Sequence, residues 1–287
     1  MNERERKLTD EVVAGFAGTT DPRLREIMQS LVRHLHGFAR EVRLSQREWQ
    51  TAIEFLTRAG HLTDDRRQEF VLLSDVLGLS ALTVAINAPN APGATEATVL
   101  GPFFVEAAPE IPLGGDLAAG SRGTPCHVSG HLRSTDGSPL AGARLDVWGA
   151  DADGFYDVQH LGGDLAGRGW LRTGADGAYR FWTVLPTSYP IPHDGPVGDL
   201  LAACGRSPMR PAHLHFKAAA PGHRTLITHL FDAADPHLGH DAVFGVRDSL
   251  ITEVEHHTGG IAPDGAHRDG PWAAVTFDLV LVPDDGS

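Results

Sequence analysis

The stretch HLHFKAAAPGHRTLITHLF, residues 213–231, decides the fold of the larger part of the chain. It opens with HLHFKAA (213–219), in which His213, His215 and Lys217 alternate with Leu214, Phe216 and Ala218. A period of two is that of a strand with one polar and one apolar face. Pro221-Gly222 supplies a turn, and TLITHLF (225–231) is a second β-rich run. On such a strand the imidazoles of His213 and His215 leave the same face, which suits either a polar sheet surface or a grip on one transition metal.

The same pattern extends in both directions. CHVSGHL (126–132), ARLDVWGA (143–150), GAYRFWTV (177–184), SLITEVE (249–255) and AAVTFDLVLV (273–282) read as further strands. Asp136-Gly137, Asp153-Gly154 and Asp176-Gly177 mark turns between them. Many short strands with Gly and Pro punctuation predict an antiparallel β-sandwich.

Upstream the period changes. Leu24, Ile27, Met28, Leu31, Val32, Leu35 and Phe38 follow helical spacing, opened by Asp21-Pro22 as N-cap and first-turn proline. Ser45 and Glu48 form a capping box that starts a second helix, running to about Ala59. A third apolar stretch runs from about Asp64 to Ile86, and NAPNAPG (87–93) ends the helical pattern. The fold class expected is α+β, with an all-helical part (1–98) followed by a β-sandwich (99–287).

Composition narrows the function. The chain has 287 residues, 41% of them apolar, and a net charge of −13. Residues 1–86 hold 12 basic and 13 acidic side chains, and residues 87–287 hold 12 basic and 24 acidic. An acidic second part argues against nucleic acid as a partner. The opening MNERERKLTDE lacks the apolar core of a signal peptide, and no run is long enough for membrane insertion. Cys126 and Cys204 stand far apart with no CxxC, as expected of unpaired thiols in a cytoplasmic protein. There is no phosphate-binding glycine loop, no GxSxG elbow and no internal repeat. The acidic residues of HDGP, DPH and GHD read as turn chemistry, and His256-His257 as a solvated loop.

Of only three tyrosines, Tyr156 and Tyr189 sit in turn-like segments, whereas Tyr179 lies within a strand and reads as packing. Two phenolates added to two neutral imidazoles make a donor set for a hard, highly charged ion such as Fe(III). Arg210, three residues before His213, comes close to any metal those histidines hold and suits stabilisation of an anion.

LGPFFVE (100–106), DVWGADADGFYDVQ (146–159), SYPIPHDGPVGDLL (188–201) and RPAHLHFKAAAPGHRTLITHLF (210–231) together resemble the intradiol ring-cleaving dioxygenases. Phe155 and the aspartates around Tyr156, YPIPHDGPVGD and DAVFGVRDSLI are similar to the branch acting on hydroxyquinol (benzene-1,2,4-triol). The catechol branch usually carries glutamine where this chain has His229.

The resemblance implies Fe(III), one per chain, ligated by Tyr156, Tyr189, His213 and His215. Tyr189 takes the place of the tyrosine that leaves when substrate binds, and Arg210 that of the arginine over the substrate. It further implies a pocket of Leu72, Asp75, Val99, Leu100, Gly101, Pro102, Phe103, Ile191, Pro192 and Val243, with Leu100 where an aromatic is common. The helical part is expected to pair two chains into a homodimer, often with a phospholipid between them. The substrates implied are a small aromatic diol or triol and O2. Cleavage of hydroxyquinol to 3-hydroxy-cis,cis-muconate, in keto form maleylacetate, is the first reading. Catechol or chlorocatechol cleavage at the same iron site is the second. A non-catalytic β-sandwich with zinc on the two histidines is the third, and would be colourless.

Overall fold

The computed structural model describes residues 3–64, 67–89, 91–118, 120–159 and 165–284. The chain divides into two compact units, Met1–His61 and Leu62–Ser287.

The first unit is helical. Helix α1 (Glu3–Gly15) packs on α2 (Pro22–Glu41), and α3 (Gln46–Leu62) follows. The expected caps are present. Asp21 Oδ1 accepts from the amides of Arg23 (2.8 Å) and Leu24 (3.2 Å). The Ser45 amide donates to Glu48 Oε2 (2.8 Å), and the Glu48 amide donates back to Ser45 Oγ (3.3 Å). Leu24, Ile27, Leu31, Leu35 and Phe38, the apolar stripe of α2, are each roughly half exposed.

In the second unit the apolar stretch 64–86 is two helices, α4 (Glu69–Val76) and α5 (Leu79–Asn87), bent by 75°. Gly78 makes the break. Its φ of +73° ends α4 in a left-handed turn, with its amide donating to Asp75 O (2.9 Å). No single helix among the described residues is long and apolar enough to cross a membrane.

The strands that follow are β1 (Pro125–Ser134), β2 (Arg144–Gly149), β3 (Arg168–Arg172), β4 (Ala178–Val184), β5 (Tyr189–Pro190), β6 (Met209–Arg210), β7 (His213–Ala219), β8 (Leu226–Asp232), β9 (Ile251–Thr252), β10 (Glu255–His257), β11 (Gly260–Ile261), β12 (His267–Arg268), β13 (Trp272–Thr276) and β14 (Leu279–Leu281). Helix α6 (Pro196–Ala203) lies between β5 and β6. One sheet runs β3-β2-β7-β8-β9. In the other, β1 has β4 on one side and β13, then β14, on the other.

Between the sheets Val128, Leu132, Tyr179 and Phe181 meet Leu145, Val147, Leu171, Leu214 and Phe216 in one apolar core. Burying such side chains is worth about 1.5–3 kcal/mol each. Gly130 permits close approach across this sheet, since a Cβ there would lie 1.7 Å from the Phe277 carbonyl oxygen.

The sandwich is mostly antiparallel, but among the described residues three strand pairs run parallel: β1 with β13, β1 with β14, and β8 with β9. They form by late returns of the chain rather than by hairpins, and only hairpins impose antiparallel pairing. The run SLITEVE divides between sheets, with β9 beside β8 and β10 beside β13. Strand β3, RGWLR, was not among the expected strands.

Candidate metal centre

Strand β7 presents its two faces as the alternation requires. Leu214, Phe216 and Ala218 enter the core, while His213 and His215 face the other way and are both buried. Strand β2 covers one side, placing Trp148 opposite His215 with the rings stacked at 4.6 Å. Gly101, at φ +76°, brings backbone against that ring; a Cβ there would lie 3.2 Å from His215 Cε1. Strands β5 and β6 pair Tyr189 with Arg210. The turn after β2 carries Tyr156 inward, stacked on Phe103 at 4.4 Å.

Four side-chain donors therefore converge. Tyr156 Oη lies 3.0 Å from His215 Nε2, 3.5 Å from His213 Nε2 and 3.2 Å from Tyr189 Oη. The two Nε2 atoms are 3.1 Å apart. Donors about 2 Å from one transition-metal ion, at tetrahedral to right angles, are themselves roughly 2.9–3.4 Å apart. Tyr156, Tyr189, His213 and His215 fit one ion. His213 Nδ1 donates to Pro211 O (2.7 Å), which leaves Nε2 with its lone pair.

His213, His215 and His229 also form a compact cluster of three imidazoles. His229 Nε2, however, lies 2.8 Å from His215 Nδ1, on the side of that ring away from Tyr156. An Nε2 engaged there does not ligate the ion held by His215 Nε2, so the two-tyrosine, two-histidine set is the better fit.

The electrostatics agree with that fit. Burial, then neighbouring Arg210, pushes His213 down to about 3, so it is neutral at physiological pH. Burial and nearby imidazoles likewise hold His215 far below the ordinary range. Burial, reinforced by Tyr189, raises the Tyr156 phenol well above its ordinary value. A Tyr156 phenolate in this place needs a cation beside it.

Arg210 is buried with Nη1 3.1 Å from His213 Nε2 and 3.5 Å from Tyr189 Oη. Its Nε donates to Asp241 Oδ1 (3.1 Å). Burial works against the guanidinium charge, but Asp241 outweighs it and holds Arg210 above its ordinary value. Burial alone would raise Asp241; the charge and hydrogen bond of Arg210 reverse this and hold it low. Asp241 also accepts from the amides of Val243 (3.3 Å) and Gly245 (2.8 Å), tying the loop that bears Val243 to Arg210.

Among the expected pocket residues, Leu72, Asp75, Val99, Ile191 and Val243 are buried. Leu100 and Phe103 pack against Trp148, Tyr156 and Tyr189. Pro192 is half-buried and Pro102 exposed. Burial raises the Asp75 carboxyl, with Ser80 and Arg210 acting against it.

Asp235 of DPH and Asp241 of GHD make the expected turns, accepting from the amides of His237 (2.8 Å) and Val243 (3.3 Å), but each also has a distant role. Asp241 is the buried partner of Arg210, and Asp235 accepts from the Ala212 amide (2.8 Å) immediately before His213. Their partners lie far away in sequence, so no local signal could have marked them. His256 and His257 lie on strand β10, where His257 stacks on Trp272 at 3.8 Å. Tyr179 Oη donates to Phe277 O (2.5 Å), inside the core and outside the tetrad. Cys126 is buried and Cys204 exposed, both unpaired.

Known proteins are similar to this chain in sequence and fold. The family described as Dioxygenase matches residues 99–283, and that described as Catechol dioxygenase N terminus matches residues 21–95. Hydroxyquinol 1,2-dioxygenase of Rhodococcus opacus is 58% identical over 98% of this chain and 94% of its own length. That of Nocardioides simplex is 56% identical over 98% of this chain and 96% of its own length. The solved hydroxyquinol 1,2-dioxygenase of Pseudomonas putida DLL-E4 superposes with a TM-score of 0.92 at 43% identity, covering 98% of this chain and 99% of that one. The chain belongs to the intradiol ring-cleavage dioxygenase family.

Proposed function

We propose that the protein is a hydroxyquinol 1,2-dioxygenase. It opens benzene-1,2,4-triol between its two adjacent oxygenated carbons with O2, giving 3-hydroxy-cis,cis-muconate, the enol form of maleylacetate. The observation that carries this reading is the convergence of Tyr156, Tyr189, His213 and His215 within 3.0–3.5 Å beside the buried Arg210.

That set would hold one Fe(III), since two hard phenolates and two neutral imidazoles favour the ferric state. When bound, the ferric ion supplies Lewis acidity and draws electron density from a bound diolate, which opens the ring carbons to O2. Tyr189 Oη, 3.5 Å from Arg210 Nη1, is the proton acceptor for one substrate hydroxyl. Arg210, kept charged by Asp241, then faces the anionic oxygens that develop as the ring opens; one such donor is commonly worth about 3–4 kcal/mol. Trp148 and Phe103, stacked on His215 and Tyr156, fix ligand orientation and exclude water. To the buried Asp75 carboxylate we assign the hydrogen bond from the third hydroxyl of the triol.

The half-exposed apolar stripe of α2 supports pairing of two chains through residues within 1–90, and it is the surface on which we would place a phospholipid chain. The unpaired cysteines suit a cytoplasmic setting.

Anaerobic titration of the iron protein with hydroxyquinol, catechol and 4-chlorocatechol, followed by 18O2, tests the function. The expected result is a shift of the visible band on binding and a ring-opened product of hydroxyquinol carrying both labelled atoms. A colourless protein that consumes no O2 with any of the three would overturn the reading.

A further inference from the structure

His229 touches none of the donor atoms that face the proposed ion, yet it is fully buried on β8 directly across from His215. Its Nε2 lies 2.8 Å from His215 Nδ1. The direction of that hydrogen bond is fixed by logic. His215 Nε2 faces Tyr156 Oη and His213 Nε2, and must present a lone pair to hold a metal. A neutral His215 then carries its proton on Nδ1 and donates it to His229 Nε2. His229 is therefore the tautomer with hydrogen on Nδ1. That atom has no partner among the described residues. It packs near Gly245, where an added Cβ would stand 3.7 Å from it, 3.0 Å from the also unpartnered Arg210 Nη2 and 3.1 Å from Asp241 Oδ2. A buried donor without an acceptor is destabilising, so the arrangement persists only with a compensating gain. The gain on view is the bond to His215.

The two ligand histidines are thus held differently. His213 is locked by the carbonyl of Pro211, two residues away, which any side chain at that position would supply. His215 is locked by a side chain from the neighbouring strand, which substitution can remove.

We propose that His229 is a positioning residue that sets the tautomer, ring angle and donor strength of His215, making His215 the adjustable ligand of the metal centre. This rests on the metal site proposed above. Partners of ligand histidines are typically worth about 10–100-fold in metal affinity.

The test compares wild type, His229→Gln and His229→Leu. Glutamine keeps an acceptor oxygen for His215 Nδ1, whereas leucine keeps bulk alone. Three readouts are taken: iron retained against a competing chelator, the resting ferric EPR spectrum, and the thermal midpoint of the iron-stripped proteins. His229→Leu should lose iron affinity about 10–100-fold and broaden or shift the EPR signal, while His229→Gln stays within a few-fold of wild type. The stripped Gln and Leu forms should melt alike.

Wild-type retention and EPR in His229→Leu would sink the proposal, and so would equal losses in both variants. Should the leucine protein not fold, wild type loaded with diamagnetic Ga(III) decides: its 15N-histidine spectrum should show His215 protonated on Nδ1. A proton on the other nitrogen, or none, overturns the proposal. If wild type itself binds no iron, the metal site fails and this inference with it, whereas a wild type that binds iron with an unaffected His229→Leu overturns this inference alone.

Discussion

The three tyrosines separate by what their hydroxyls meet. All are buried, so burial alone does not choose among them. Tyr156 and Tyr189 meet each other and the imidazoles, whereas Tyr179 meets the Phe277 carbonyl. Tyr156→Phe and Tyr189→Phe should each weaken or shift the visible ferric band. Tyr179→Phe should leave the band in place and, by orphaning a buried acceptor, cost about 1–3 kcal/mol in urea unfolding. Loss of colour from the Tyr179 change alone would overturn the ligand assignment. Asp75 is the charged residue among the pocket positions, and a site built to bond a hydroxyl discriminates well against a ligand lacking it. Asp75→Ala should lower kcat/KM for hydroxyquinol by about 10–100-fold and for catechol much less, from the ~1.5–3 kcal/mol of a charged hydrogen bond. Equal losses on both substrates would move selectivity to pocket shape around Leu72, Leu100 and Val243. At this scale His213 and His215 were legible because strand periodicity is local. Asp241 was not, because its meaning comes from an arginine on another strand.

Among elements, the capped helices α2 and α3 could be read directly, since their caps lie within three residues of one another. The split of 64–86 could not: a glycine inside an apolar run reads equally as a tolerated residue or a break, and only its positive φ settles which. The split matters for the site because it ends α4 just past Asp75. Helix α4 is in turn tied to α6 through Glu69, whose Oε1 accepts from the Val197 amide (3.0 Å) while Oε2 accepts from Arg67 Nε (2.9 Å). Glu69 is fully buried. Glu69→Ala would leave a helix-end amide without its acceptor and take from Arg67 one carboxylate partner, with Asp194 remaining at 2.7 Å. The expected cost is about 1–3 kcal/mol in denaturant midpoint experiments. A loss under 1 kcal/mol would show that α4 and α6 are held by apolar packing instead.

For the molecule as a whole, helical and β parts were visible in the change of period, and parallel pairing was hidden because it joins segments far apart in sequence. The exposed stripe of α2 bears on assembly. Leu31→Glu with Phe38→Glu should convert the proposed dimer to a monomer in sedimentation at micromolar concentration, with the ferric band retained. A dimer unmoved by this pair would place the interface elsewhere. The pairing of β1 has a further consequence, for biosynthesis. Cys126 lies beside Ala273 and Leu132 beside Leu279, so one flank of this strand waits for residues made much later. While the chain emerges from the ribosome, β1 can pair with β4 but keeps an open apolar edge toward solvent. Long-range closure of this kind is slow and exposes a template for aggregation. Nascent chains stalled before Trp272 should accordingly depend on chaperones, and those released after Leu281 should not.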